Sequence, residues 1–258
     1  MADDEWTFVP RKKQGKSQNK AQNVTVHHEP RPMKDATLSD IEKDFQAKLR
    51  TWRQSGARQQ LHRTLLHLKP DAGWQVDTAV CLGTGSFSRD NFDCRKRTME
   101  QFAMFADTVE YLQNSEEREI EVHVQEGWYN DLDKEFLRTK GMNVPEMQQG
   151  AYPTADCGPA TRFFGPHTFV CELYIEHSEG TIRNLTQKDV PLLMSTSRRI
   201  CLRDYYPGGA FKKGDLTALL DAINKNYRSL RFPHFKEDPN VFEGIDILAP
   251  LPKEEEDD

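Results

Sequence analysis

The sequence predicts a doubly wound, Rossmann-like three-layer α/β sandwich with a mostly parallel sheet. Two extra N-terminal helices and disordered N- and C-terminal tails complete the expected architecture. Three observations carry this. Thr78-Ala79-Val80-Cys81-Leu82 is a short apolar run that reads as a buried strand. Gly83-Thr84-Gly85-Ser86-Phe87-Ser88 follows as a glycine turn, and a helical pattern runs from Arg97 to Leu112. Further short apolar runs then alternate with helical patterns, while both ends of the chain are polar.

The 258 residues fit one domain with tails. The organisation expected is a tail over 1–35, a single α/β domain over 36–251, and an acidic tail over 252–258. Within the domain, 37–68 supplies the N-terminal helices and 78–251 the core. The formal net charge is −6, which argues against general nucleic-acid binding. No apolar run reaches the roughly 20 residues that cross a bilayer. Met1-Ala2-Asp3-Asp4-Glu5 is acidic with no apolar stretch behind it, unlike a secretory signal. The five cysteines include no Cys-x-x-Cys pair, so reduced thiols in the cytoplasm or nucleus are expected and no metal is assigned. Arg11-Lys12-Lys13 and Lys16 follow Trp6 and Phe8. This reads as a localisation signal, a docking peptide or, most simply, a solvated tail.

Leu38, Ile41, Phe45, Leu49 and Trp52 recur at helical spacing and predict a helix over 37–55, stopped by Gly56. Leu61, Leu65 and Leu68 predict a second helix, ended by Pro70. These two helices are expected to cover one side of the sheet, with Arg50, Arg53, Arg58 and Arg63 on a solvated face. Ile120 to Gln125 reads as a strand with one face more exposed, leaving His123 outside. A short helix over 131–139, a brief strand over 142–144 and a loop over 146–160 follow. Residues 161–168 are expected to begin as a strand and end in a turn, with a helix starting at Phe169. A strand over 191–196, a loop over 205–209 that reads as a lid, a helix over 215–227 and a strand within 241–251 complete the order.

The turn carries the chemistry. Gly83 and Gly85 allow a tight turn and close backbone approach. Their N–H groups, with Thr84, Ser86 and Ser88, form a candidate anion cradle near a helix start. The third glycine of a dinucleotide fingerprint is absent, because Ser88 occupies its place. Glu126 ends a strand, where an acidic side chain accepts a ribose hydroxyl. His167, expected at another strand's carboxyl edge near both, is the candidate general base or phosphate donor. Each has a plainer alternative: a turn that only needs positive φ, a surface charge, and a histidine that orders its own loop.

Together these motifs resemble the sensitivity-to-red-light-reduced-like (SRR-like) domain family. The turn Gly83-Thr84-Gly85-Ser86-Phe87-Ser88 is similar to the family's Gly-x-Gly-Ser-Phe-Ser. Glu126 stands where the family has an Asp before Pro, and Pro166-His167-Thr168 resembles its Pro-His-Cys. Trp6 ahead of Arg11 to Lys13 is a looser match. The resemblance covers about Thr78 to Thr196. Gly127, Thr168 and Leu173 to His177 depart from it and mark a divergent member.

The resemblance implies a regulatory protein. The family is associated with light and clock signalling in plants, and with haem synthesis and microtubule-linked phenotypes elsewhere; no catalysed reaction defines it. The first expectation is therefore a regulatory or interaction protein with an unidentified protein partner, gated by a small nucleotide-type ligand whose identity stays open. The alternative is an enzyme using S-adenosylmethionine or a dinucleotide, with the glycine turn holding the cofactor, Glu126 its ribose, and His167 moving the proton. Fold alone does not separate them.

Overall fold

The computed structural model describes residues 31–147, 158–173, 188–196, 221, 223 and 225–251. Helices α1 (Leu38–Gln54) and α2 (Gly56–Leu68) come first, then β1 (Thr78–Leu82), α3 (Phe92–Glu116), β2 (Glu121–Gln125) and α4 (Asp131–Thr139). A 3-10 turn (Pro159–Phe163), β3 (Thr168–Glu172), β4 (Leu192–Thr196), β5 (Tyr227–Arg231) and β6 (Ile245–Pro250) follow. The strand order is β2-β1-β3-β4-β6-β5. The first four strands are parallel, and β6 runs antiparallel between β4 and β5.

The central strands are buried along nearly their whole length, and alternate side chains enter two separate clusters. Ala79, Cys81, Phe169, Cys171 and Met194 face a cluster shared with α1 to α4. Val80, Leu82, Val170 and Leu193 face a second cluster with Ala160, Phe164, Val190 and Ile223. Parallel strands covered on both faces are the expected core of a doubly wound fold.

Local chemistry explains the helix limits. Thr37 and Asp40 form a capping box at the start of α1. Ser55 ends α1 and caps α2, so Gly56 opens the second helix instead of stopping the first. The helix after the glycine turn starts at Phe92, five residues before the apolar pattern shows it. The Asn91 side chain accepts from Cys94 N at 2.9 Å and Asp93 lies in the first turn, so polar caps initiate α3 before it reaches the core.

Other expectations are corrected. His123 is buried, because β2 is covered on both faces; its ring stacks on Phe163 with centroids 3.6 Å apart, and burial pushes the imidazole below the ordinary histidine range. Residues 142–144 make a single parallel bridge, His123 with Asn143. Residues 159–163 are a 3-10 turn, and Thr168–Glu172 is a strand where a helix was expected to start. A five-residue apolar run does not separate helix from strand by periodicity, and pairing with β1 decides it. The unforeseen β5 has three exposed positions, the mark of an edge strand. Residues 221, 223, 225 and 226 are helical, but the rest of the helix expected over 215–227, most of its neighbours and the 205–209 loop lie outside the described residues. So do Cys157 and Cys201; Cys81, Cys94 and Cys171 are free thiols.

Arg53 is exposed and Arg58 half-buried, yet both reach a buried carboxylate. Asp107 of α3 is buried, and its carboxylate accepts from Trp52 Nε1 at 3.0 Å, Arg53 Nε at 3.1 Å and Arg58 Nε at 2.8 Å, with His62 Nε2 at 3.4 Å. One carboxylate thus ties α1 and α2 to α3. Burial alone would raise its pKa, but the His62, Arg58 and Arg53 contacts outweigh burial and hold it far below the carboxylate range. Replacing it removes the buried charge that holds the buried Trp52 indole together with Arg53, Arg58 and His62, so Asp107→Asn is expected to destabilise the fold by about 3 kcal/mol in urea unfolding at neutral pH. A loss below about 1 kcal/mol would show a surface-grade pair. Because the folded pKa is depressed, the stabilisation is full above the unfolded value near 3.8 and fades as pH falls below it.

Candidate functional site

The glycine turn leaves β1 at the carboxyl edge of the sheet. Gly83 and Gly85 have φ of +72° and +79°, in the left-handed region. A Cβ on Gly85 would lie 1.7 Å from Arg89 Nη2 and 2.9 Å from Thr98 Oγ1. Gly85 is therefore required by conformation and by close approach. Arg89 Nε donates to Ser86 O at 3.2 Å and its Nη2 to Thr98 Oγ1 at 3.2 Å, while Thr98 Oγ1 donates to Thr84 O at 2.7 Å.

The turn faces a carboxylate of its own chain. Gly85 N donates to Glu126 Oε2 at 2.9 Å, and Trp128 N donates to Glu126 Oε1 at 3.1 Å. Burial raises the Glu126 pKa; the two amides and the Arg89 charge pull it back. The anion expected at this turn is thus supplied from the end of β2. Sequence reading brought Gly83, Gly85 and Glu126 to one site; the structure bonds Gly85 directly to Glu126, while Gly83 N donates to the neighbouring Gln125 O at 3.0 Å.

The hydroxyls do other work. Ser86 and Ser88 are buried, and Asn130 Nδ2 donates to Ser88 Oγ at 2.6 Å. Asn130 also caps α4 in a box with Asp133, whose N donates to Asn130 Oδ1 at 3.0 Å. Asp133 is fully buried, and desolvation raises its carboxyl while the Ser86 and Ser88 hydroxyls lower it. Thr84 Oγ1 is hydrogen-bonded to the hydroxyl of Tyr129. The turn is therefore bolted to the start of α4, and Thr84, Ser86 and Ser88 hold the scaffold instead of opening a cradle.

His167 is not part of this site. It precedes β3, and Thr78 pairs with Thr168, so it lies at the amino edge, opposite the glycine turn. Its O accepts from Asp77 N at 3.0 Å and Thr78 N at 3.2 Å, and its Nδ1 is 2.9 Å from Gln75 O. The expectation of a base beside Glu126 is corrected: this histidine orders the entry to β1 and β3.

Two features were not read from the sequence. Met33 N donates to Ser88 O at 2.6 Å and Asp90 N to Arg31 O at 2.8 Å, so the chain before α1 is pinned beside the turn. A cavity of about 430 Å³ opens beyond β2, lined by Glu126, Tyr129, Asn130, Lys134 and Arg138, with residues 144–147 also along it. Of its lining, Glu126 was read from the sequence; the Asn130-x-x-Asp133 cap is a further local signal that could have marked it.

A glycine turn and an acidic strand end at the carboxyl edge of the parallel strands mark a Rossmann-like α/β domain. The chain belongs to the SRR1 domain family, whose model matches residues 46–193, from within α1 to β4. No curated protein matches the sequence. One solved structure with similarity is a crystal structure from Listeria monocytogenes assigned to the class I S-adenosylmethionine-dependent methyltransferases. It shows 11% identity and a TM-score of 0.41, over 85% of this chain and 70% of that one. A likeness of that size carries no argument.

Gly85→Ala is expected to cost about 2 kcal/mol of stability, from left-handed strain and a displaced Arg89. Urea unfolding checks it, and no change would mean that the turn relaxes freely.

Proposed function

We propose that this member of the SRR1 domain family is a regulatory protein that acts through a protein partner and takes a small nucleotide-type ligand at the carboxyl edge. The observation that carries the reading is the setting of Glu126. Two backbone amides orient its carboxylate at the wall of the 430 Å³ cavity. An acidic group at this strand end is where α/β domains accept ribose hydroxyls. The cavity volume falls within the range of small-molecule sites. The glycine turn serves the ligand indirectly, by aiming the carboxylate.

Residence in the cytoplasm or nucleus belongs to the same reading, supported by the unbridged Cys81, Cys94 and Cys171. Among the described residues no helix is long and apolar enough to cross a membrane.

Titration calorimetry with S-adenosylmethionine, NAD, NADP and ATP tests the proposal. At least one should bind saturably, and Glu126→Gln should weaken it about tenfold or more, as expected for losing a charged hydrogen-bond acceptor. The amide oxygen of Gln can still accept from Gly85, which keeps the turn. Flat heats for all four ligands, or unchanged affinity in the variant, would overturn the reading.

A further inference from the structure

The polar groups of the cavity are unevenly satisfied. Glu126 has its amides, and Asn130 is spent on the α4 cap and Ser88. Lys134 and Arg138 are different: among the described residues neither side chain has a hydrogen bond or an ion pair. They stand four residues apart on α4, so their side chains are neighbours along one face. The helix cannot swivel to hide them, since Phe136 and Leu137 are buried on its other side and the Asn130–Asp133 box holds its start.

Lys134 stands out among the half-buried lysines. Lys48 pairs with Glu100, Lys69 with Glu116, Lys96 with Asp238 and Lys140 with Glu42, and Lys188 donates to Thr161 O. All five are half-buried and partnered, while Lys134 is half-buried and has none. A partly desolvated ammonium without a partner is costly. At the wall of a cavity, that cost points to an external anion.

The remaining lining narrows its chemistry. Glu126, Asp131 and Glu146 also border the cavity. Three carboxylates beside two cations disfavour a bare phosphate. They suit a ligand that donates hydroxyls at one end and carries an anion at the other. We propose that Lys134 and Arg138 bind the phosphate of a ribose phosphate whose hydroxyls are accepted by Glu126. The α4 N-terminus does not compete for the phosphate, because Asn130, Asp131 and Asp133 already serve it. The inference rests on the functional reading above and goes further, by naming the phosphate end and the residues that hold it.

A ribose phosphate is common to nucleotides and to free sugar phosphates, so the test uses adenosine 5′-monophosphate, adenosine and ribose 5-phosphate on the full chain. Calorimetry should show the monophosphate binding at least tenfold tighter than adenosine. The double variant Lys134→Gln, Arg138→Gln should weaken the monophosphate by about 10- to 100-fold, in line with losing charge-assisted hydrogen bonds, and leave adenosine unchanged. Added salt should weaken the monophosphate in the wild type and do little in the variant. Binding of ribose 5-phosphate with equal affinity would assign the site to sugar phosphates; much weaker binding would assign it to nucleotides. Both outcomes support the proposal. Both substitutions lie away from the buried face of α4, and circular dichroism checks that the fold is kept. Equal affinity for monophosphate and adenosine, or a variant that binds the monophosphate like the wild type, would overturn the phosphate end while leaving the ligand reading intact. No binding by any of the three, with flat heats for the four larger ligands, would overturn both.

Discussion

The bond from Gly85 N to the Glu126 carboxylate is the joint on which the carboxyl edge depends. It closes the end of β1 onto the end of β2, across 41 residues of chain. Gly85 adopts the left-handed region and presses against Arg89 and Thr98, so the amide has one direction to point. The carboxylate accepts a second amide from Trp128, which fixes its rotation as well. A buried carboxylate without those donors would be costly; with them it becomes an oriented acceptor at a cavity wall.

Around this joint each polar group has a structural duty. Ser86 and Ser88 meet Asn130 and Asp133, so the cap of α4 and the glycine turn are one hydrogen-bonded unit. The backbone of residues 31 and 33 pairs with Ser88 and Asp90, which brings the chain entering α1 to the same place. On the far side of α3, Asp107 gathers α1 and α2. The aromatic rings of Phe45, Phe102, Phe87 and Phe136 fill the space between these two polar anchors. Lys134 and Arg138 of α4, without hydrogen-bond or ion-pair partners among the described residues, stand beside this hydrogen-bonded unit.

Several of these relations were legible in the residues. The glycine turn and the acid after the next strand could be assigned to one edge because parallel strands joined by a helix end on the same side. The family was legible in the turn and in Pro166-His167. The place of His167 was not, because Thr168 to Glu172 is a short apolar run that reads equally well as helix or strand. Calling the residues before it a strand put the histidine at the wrong edge. The duty of the serines was hidden for another reason: a hydroxyl after a glycine turn looks alike whether it faces a ligand or the cap of another helix. The edge strand β5 was missed because its exposed Arg228, Ser229 and Arg231 leave no alternating apolar signal.

By itself the sequence determined the α/β alternation, the positive-φ turn and the acidic strand end. All of these are local: they follow from side-chain periodicity, from short-range hydrogen bonding and from the missing Cβ of glycine. Only the tertiary structure decided that Gly85 would meet Glu126, that His167 would fall at the opposite edge, and that Lys134 would have no partner among the described residues. Those outcomes depend on strand register and on which distant groups arrive at each site. Contacts between residues far apart in the chain are set by the packing of the whole sheet, and no local pattern encodes them.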